Sequence, residues 1–150
     1  MRGGVASARS SPTLTHVALH VRDLDASIGF YQRFCGLEMV HERGSGAGGR
    51  VVWLAEPGRG QEIIFVLLSG GRGREPAPDD YGHLGFACVD QAEVDRIADA
   101  GRAAGCLVWE PRSEPYPVGY YCGLKDPDGN FVEFSHGQPL DPFHPHPERE

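Results

Sequence analysis

The sequence lacks the features that mark several common protein classes. It contains no apolar run near the roughly 20 residues that a membrane-spanning helix requires, and its polar start, residues 1–11, lacks the hydrophobic segment of a secretory signal. Basic residues are in the minority, because 14 Lys and Arg stand against 21 Asp and Glu, for a net charge of −7. Nucleic acids and anionic membranes repel such a chain on average. We therefore expect a cytoplasmic protein that has neither as a partner.

Closely paired cysteines are missing as well. The four cysteines are widely separated, without the spacing of a zinc ribbon or a redox dithiol, and we interpret them as reduced core thiols. The 150 residues are 40% hydrophobic and 23% charged, which is the profile of one globular domain. With 21 Gly and 12 Pro, the chain is predicted to have many turns and short elements.

The order of one strand, one helix and three further strands occurs twice in the sequence pattern. In the first half the predicted elements are a strand at 14–21, a helix opened by Asp23 or Asp25, and strands at 38–42, 50–55 and 62–68. In the second half they are a strand at 83–89, a helix opened by the capping pattern at 90–93, and strands at 106–109, 119–124 and 130–136. The sequence therefore predicts two copies of a βαβββ module.

A fixed shift relates the two copies. Placing His16 over His83 also places Val66 over Glu133, both pairs being 67 positions apart. Three of these four positions carry side chains that bind metals. Two imidazoles and one carboxylate on a rigid sheet match the facial triad, which leaves coordination positions open for oxygen-bearing substrates. We therefore predict a metal centre formed by the two histidines and the glutamate.

Three stretches of the chain resemble one known group of proteins. Residues 14–31, 82–86 and 126–133, within a match from about 14 to 137, are similar to the vicinal oxygen chelate superfamily. That superfamily contains glyoxalase I, fosfomycin-resistance thiol transferases, epimerases, extradiol dioxygenases and bleomycin-binding proteins. The resemblance implies an α+β fold in which two tandem βαβββ modules form a curved mixed sheet around a metal-binding cleft. It assigns a divalent ion, one of Fe, Mn, Ni, Zn or Co, to ligands His16, His83 and Glu133.

The expected domain organisation follows from these patterns. We predict one domain at 13–138, with module one at 13–70 and module two at 82–138, preceded by a disordered segment at 1–12 and followed by a Pro-rich tail at 139–150. Edge strands left by two half-sheets favour pairing with another copy. We therefore expect a homodimer that binds a small-molecule substrate.

The reaction class depends on groups beyond the three ligands. Glyoxalase I and the epimerases of this superfamily have a fourth ligand, where this chain has Val66, and Glu62 is only a weak substitute for it. The three-ligand set favours dioxygenase chemistry on a substrate that chelates through adjacent oxygens. The tyrosine of the extradiol dioxygenases falls near Gly123 here, so that Tyr121 or Tyr120 becomes the candidate catalytic residue.

Other reactions remain open at the level of sequence. The fosfomycin-resistance enzymes bind a phosphonate through Thr, Lys and Arg, where this chain has Ala18, Glu110 and Pro142, and the comparison argues against that substrate. A glyoxalase-like lyase or isomerase, or a thiol transferase, is the alternative enzyme. A metal-free antibiotic-binding resistance protein is the alternative outside the enzymes.

Overall fold

The computed structural model describes residues 11–140 and 142–143. Most of the predicted disordered segment at 1–12 and most of the Pro-rich tail at 139–150 lie outside the described residues, so both stay predictions.

The described residues form eight strands and two helices in the predicted order. They are β1 His16–Val21, α1 Leu24–Cys35, β2 Glu38–Gly44, β3 Arg50–Ala55, β4 Ile64–Ser69, β5 His83–Ala87, α2 Gln91–Ala103, β6 Leu107–Glu114, β7 Gly119–Lys125 and β8 Phe131–His136. Within the described ranges no helix has the length and apolar character to cross a membrane.

The largest difference from the predicted bounds is at β6. This strand continues to Glu114, whereas the pattern predicts an end at Trp109. The sequence Glu110-Pro111 reads as a break, because proline cannot donate a backbone hydrogen bond to a neighbouring strand. In the structure the register shifts between Trp109 and Arg112, and this bulge accommodates the proline without ending the strand.

Both helices begin at aspartate caps, as the sequence predicts. The Asp23 carboxylate accepts a hydrogen bond from the backbone N–H of Ala26 at 3.0 Å, and Asp90 accepts one from Glu93 at 2.7 Å. The Glu93 carboxylate also accepts from the backbone N–H of Val89 at 2.7 Å. These bonds satisfy N–H groups that have no partner within the first turn of a helix, and they fix where each helix starts.

The strands form two four-stranded mixed sheets. Their orders are β1-β4-β3-β2 and β5-β8-β7-β6, with the first strand of each module parallel to the fourth. His16 is opposite Ile64 and Ala18 is opposite Val66 in the first sheet. In the second sheet His83 is opposite Phe131, and Gly85 is opposite Glu133. The 67-residue shift is therefore preserved in the strand register, and the predicted tandem βαβββ fold is confirmed.

One face of each sheet is buried. On module two this face carries Cys122, whose thiol lies 3.6 Å from the backbone oxygen of Val94 in α2. A row of stacked rings connects the two modules, because Phe65 stacks on Phe86 and Phe86 on Phe134, with ring centroids 5.7 and 5.9 Å apart. The buried residues of both modules belong to one hydrophobic cluster. The predicted metal ligands lie on the opposite faces of the two sheets, which do not contribute to this hydrophobic cluster.

The turn between β7 and β8 also joins the modules. Asp126 accepts a hydrogen bond from the hydroxyl of Tyr31 at 2.7 Å, and both side chains are buried. Asp128 accepts from the backbone N–H of Arg22 at 2.8 Å and from the hydroxyl of Ser27 at 3.2 Å. The two carboxylates belong to module two and these donors to module one. A segment that the sequence identifies only as a tight turn therefore connects the two halves of the chain.

Candidate metal centre

His83 and Glu133 meet on the open face of module two. His83 begins β5, and Glu133 lies on the adjoining strand β8, only 7% exposed. The imidazole Nε2 is 3.4 Å from the carboxylate Oε2. Gly85 lies opposite Glu133 in the parallel pair, and no atom lies within 4 Å of the place where a Cβ would stand. The carboxylate therefore has open space beside it for a further group.

The surroundings of His83 determine which ring nitrogen is free. Its Nδ1 is 2.6 Å from the backbone carbonyl oxygen of Tyr81. A carbonyl oxygen only accepts, so we assign the proton to Nδ1, which leaves the lone pair of Nε2 facing the Glu133 carboxylate. Two such acceptors repel each other unless a cation or a shared proton lies between them. Metal-binding histidines commonly donate their other N–H to a backbone carbonyl in this way, so the pair fits a divalent ion held at roughly 2.0–2.2 Å from each donor.

Neighbouring side chains hold the pair in place. The Gln138 amide donates to Oε1 of Glu133 at 2.8 Å, on the side away from His83. The indole ring of Trp109 meets the His83 ring edge-on, with centroids 5.7 Å apart. Trp109 covers Gly123 so closely that a Cβ there would overlap the indole. Neither Gln138 nor Trp109 is predicted by a sequence pattern, although a glycine inside a strand, here Gly123, is a sign of close approach by another group.

His16 is placed apart from the other two predicted ligands. It begins β1 on the open face of module one, and its Nδ1 lies 3.0 Å from the hydroxyl oxygen of Thr15. Among residues 11–140 and 142–143, no three His, Cys, Asp or Glu side chains are grouped closely enough to hold a metal ion. The structure therefore brings together two of the three predicted ligands within one chain, and the three-ligand centre stays a prediction.

The open face of module one forms a cavity beside His16. Its volume is about 470 Å³, and its lining includes Val66, Trp53 and Arg43. Val66 occupies the position that corresponds to Glu133 in module two. Glu62, the weak candidate for a fourth ligand, is exposed in the turn before β4 and pairs with Arg59 at 3.0 Å. It does not line the face that carries His16.

Of the two candidate tyrosines, Tyr121 shares the face of Glu133. Tyr121 is opposite Ser135, two residues along β8 from Glu133. Its hydroxyl accepts a hydrogen bond from Arg112 Nε at 2.7 Å and donates to Glu114 at 3.0 Å. Burial raises the pKa of the Tyr121 phenol above its usual value, although the Arg112 guanidinium opposes that change. The phenol therefore keeps its proton near neutral pH, and that proton is directed at the Glu114 carboxylate.

Tyr120 projects to the opposite face of β7, toward α2. Its hydroxyl donates to the Asp95 carboxylate at 2.5 Å. This hydrogen bond is the main cause that raises the pKa of Tyr120 to about 12. The catalytic role considered for Tyr120 stays a prediction, and its contacts lie with the helix rather than with His83 and Glu133.

Comparison with known proteins identifies the family. Residues 13–134 match the family described as the Glyoxalase/Bleomycin resistance protein/Dioxygenase superfamily. The chain is 62% identical over 132 residues to the uncharacterized protein PA2024 of Pseudomonas aeruginosa, covering 88% of this chain and 94% of that protein. It is 27% identical over 125 residues to a probable lactoylglutathione lyase of Synechocystis sp., covering 80% of this chain and 92% of that protein.

Solved structures share the fold at low sequence identity. A glyoxylase/bleomycin resistance protein/dioxygenase domain from Frankia sp. superposes with a TM-score of 0.67 at 23% identity, covering 86% of this chain and all of that domain. A mutant of the fosfomycin resistance protein FosX from Listeria monocytogenes was solved with Mn(II) and 1S,2S-dihydroxypropylphosphonic acid. It superposes with a TM-score of 0.63 at 22% identity, covering 83% of this chain and 91% of that one. On the family match over residues 13–134 and the 62% identical relative, this chain belongs to the glyoxalase/bleomycin resistance protein/dioxygenase superfamily.

Proposed function

We propose that the protein is a metal-dependent enzyme acting on a small molecule that chelates a divalent ion through adjacent oxygens. The ligands are His16, His83 and Glu133. The observation that supports this most is the His83–Glu133 pair, in which an imidazole Nε2 faces a carboxylate at 3.4 Å while Nδ1 is occupied by the Tyr81 carbonyl. The homologous fold of FosX, solved with Mn(II), adds support for an ion of this kind.

In this proposal His16 reaches the centre from a second copy of the chain. His16 and His83 occupy equivalent positions in the two modules, opposite Ile64 and Phe131. In a symmetric dimer, module one of each chain would close over module two of the other, which generates two equal centres. The strands β1 and β5 stand at the edges of their sheets and are open to such an approach.

The side chains around the centre have separate tasks. A bound ion would supply Lewis-acid activation of the chelating oxygens, or redox chemistry if it is iron or manganese. Gln138 fixes the orientation of the Glu133 carboxylate, and Trp109 restricts the His83 ring. Tyr121 holds a proton on its hydroxyl at the same sheet face, and by exchanging Glu114 for substrate it would donate that proton to an oxygen that becomes negative during reaction.

Dioxygenase-type chemistry is the leading reaction class in this proposal, because Val66 takes the place of a second carboxylate that a proton-shuttling isomerase would use. The lyase alternative is favoured by the relatives described as probable lactoylglutathione lyases, at 27% and 29% identity. Oxygen uptake by the iron-loaded protein with a vicinal diphenol tests the first reaction, and formation of lactoylglutathione from glutathione and the matching 2-oxoaldehyde tests the second.

Metal content tests the centre before any substrate is known. We expect protein purified without metal-affinity steps to contain a divalent ion, and His16→Ala, His83→Ala and Glu133→Gln each to release it. His20→Ala is the matched control, because His20 shares strand and face with His16 but bonds the Ser69 carbonyl at 3.1 Å. No ion in the wild-type chain, even after reconstitution, would favour the metal-free binding protein instead.

Mixing two variants tests the shared centre. Chains of His16→Ala and Glu133→Gln each lack one ligand, but a dimer of one with the other contains one complete set. After unfolding and refolding in equal amounts, about a quarter of the wild-type metal content should return if each set draws on two chains of a twofold dimer. No recovery, with both variants folded and dimeric, would show that the centre belongs to one chain.

A further inference from the structure

The cavity of module one has the composition of a binding site for an organic molecule. Its volume of about 470 Å³ is within the range of roughly 300–1,000 Å³ that is usual for small-molecule sites. The walls are apolar over most of their surface, with Val51, Trp53, Val66 and Leu68 among them. Trp53 is 40% exposed, which leaves an aromatic ring available to a ligand.

Of the described residues that line this cavity, Arg43 is the only one with a cationic side chain. Within residues 11–140 and 142–143, its guanidinium has no hydrogen-bond or ion-pair partner. Arg50, in the same β2–β3 hairpin, differs in this respect. Its guanidinium bonds Glu42 at 2.6 Å and Asp25 at 2.9 Å. Among the described residues, the unpaired charge of Arg43 therefore lies at the wall of this cavity.

We propose that this cavity binds a ligand with an apolar body and an anionic group, and that Arg43 pairs with the anion. The chain as a whole has a net charge of −7 and repels anions, so an anionic ligand needs a local cation to be retained. A guanidinium at an apolar wall provides one, with charge-assisted hydrogen bonds to carboxylate, phosphate or sulfonate oxygens.

The pairing register of the strands in module one predicts the shape of the ligand. This prediction, unlike the anion site itself, rests on the proposed metal centre. Arg43 is opposite Val51, Val51 is opposite Leu68, and Leu68 is opposite His20. Arg43 therefore lies across the whole sheet from β1 and four residues along it from His16. At about 4.8 Å per strand and 3.3 Å per residue, the two ends of the ligand are on the order of 10–20 Å apart. The substrate would be elongated, with chelating oxygens at one end and the anion at the other.

Two fluorescent probes with the same rings test the proposal. 8-Anilinonaphthalene-1-sulfonate has a sulfonate, and N-phenyl-1-naphthylamine lacks it. In a Trp109→Phe background Trp53 is the single tryptophan, since the chain has two. Energy transfer from Trp53 to either probe then reports binding to the protein, and the dependence of that binding on Arg43 assigns it to this cavity.

Arg43→Gln should weaken binding of the sulfonate probe by about tenfold and that of the neutral probe by less than about twofold. Arg43→Lys should restore part of the difference, because it keeps the charge but not the planar donor pair. Arg72→Gln is the control, since Arg72 is exposed in the loop before β5. Equal effects of Arg43→Gln on the two probes, or no transfer from Trp53 to either, would overturn the proposal.

Metal analysis of the Arg43→Gln protein separates this inference from the proposed function. Unchanged metal content together with lost preference for the sulfonate supports both. Preference for the sulfonate in a protein that binds no metal would support the anion site and leave the enzyme proposal without its centre. A wild-type chain that binds metal but shows no preference for the sulfonate would support the metal centre and overturn the anion site.

Discussion

The hydrogen bond from Tyr31 to Asp126 joins the two modules, and its contribution to the free energy of unfolding can be measured. Tyr31 is fully buried, and Asp126 is 3% exposed. The Asp126 carboxylate also accepts from the backbone N–H groups of Asp128 and Asn130, each at 2.9 Å, and from the Asn130 amide at 3.0 Å. Three of its four donors therefore come from its own turn, and the fourth comes from α1 of module one.

Tyr31→Phe removes only the hydrogen bond from the Tyr31 hydroxyl to Asp126 and leaves the bonds of Asp128 to module one in place. The carboxylate keeps three donors, so the loss should be that of one hydrogen bond to a charged acceptor, about 1.5–3 kcal/mol of unfolding free energy. Asp126→Ala leaves the Tyr31 hydroxyl and buried N–H groups without an acceptor and should cost more, about 3–5 kcal/mol. In the double variant the hydroxyl is absent as well, and the coupling energy should be about 1–3 kcal/mol.

Urea unfolding followed by far-ultraviolet circular dichroism measures these values, at one fixed chain concentration because a dimer gains stability with concentration. Tyr120→Phe is the matched control: it removes a 2.5 Å bond to Asp95 at an exposed site, where we expect about 0–1 kcal/mol. A loss for Tyr31→Phe no larger than that for Tyr120→Phe, or additive effects in the double variant, would refute the idea that Asp126 joins the modules.

Three further predictions concern stability. Gly29→Ala should raise the unfolding free energy by about 0.5–1 kcal/mol in the same urea assay, because Gly29 is inside α1 and no atom lies within 4 Å of an added Cβ. Gly101→Ala should instead lower it by about 1–3 kcal/mol, since its Cβ would stand 2.9 Å from Leu124 in β7; a gain there would contradict the packing of α2. Burial raises the pKa of the Cys122 thiol from 9.0 to about 12, so the unfolded chain loses this proton first as pH rises. Stability should therefore fall from about pH 9 upward, and Cys122→Ala should reduce the slope by about 1.4 kcal/mol per pH unit.

The repeat could be predicted from sequence because it depends on local patterns. The capping aspartates Asp23 and Asp90 and the alternation of apolar residues are visible without any tertiary contact. The shift that relates His16 to His83 then gives the partner of each strand position, and the register confirms it. Because the two modules are related by this shift, patterns in short segments are sufficient to predict the pairing of strands in both sheets.

Contacts between distant segments could not be predicted in this way. Asp126 and Asp128 have the composition of a turn, and nothing local indicates that both carboxylates are buried against α1 and the residue that follows β1. The facing of Tyr121 depends on how the β7–β8 hairpin aligns with Glu133, which only the pairing of strands determines. The separation of His16 from His83 likewise depends on how the two modules pack, and it could not be predicted from the spacing of the two residues in the sequence.

The valine at position 66 has an evolutionary consequence. A U-to-A change at the second base of a valine codon yields aspartate or glutamate, so one mutation would give module one a carboxylate at the position of Glu133 in module two. Val66 is half-buried on the open face rather than inside the core, where an acid can stay hydrated and folding would tolerate it. The repeat of the module thus leaves this chain one base change from adding a carboxylate to the three ligands that we propose, with the scaffold unchanged.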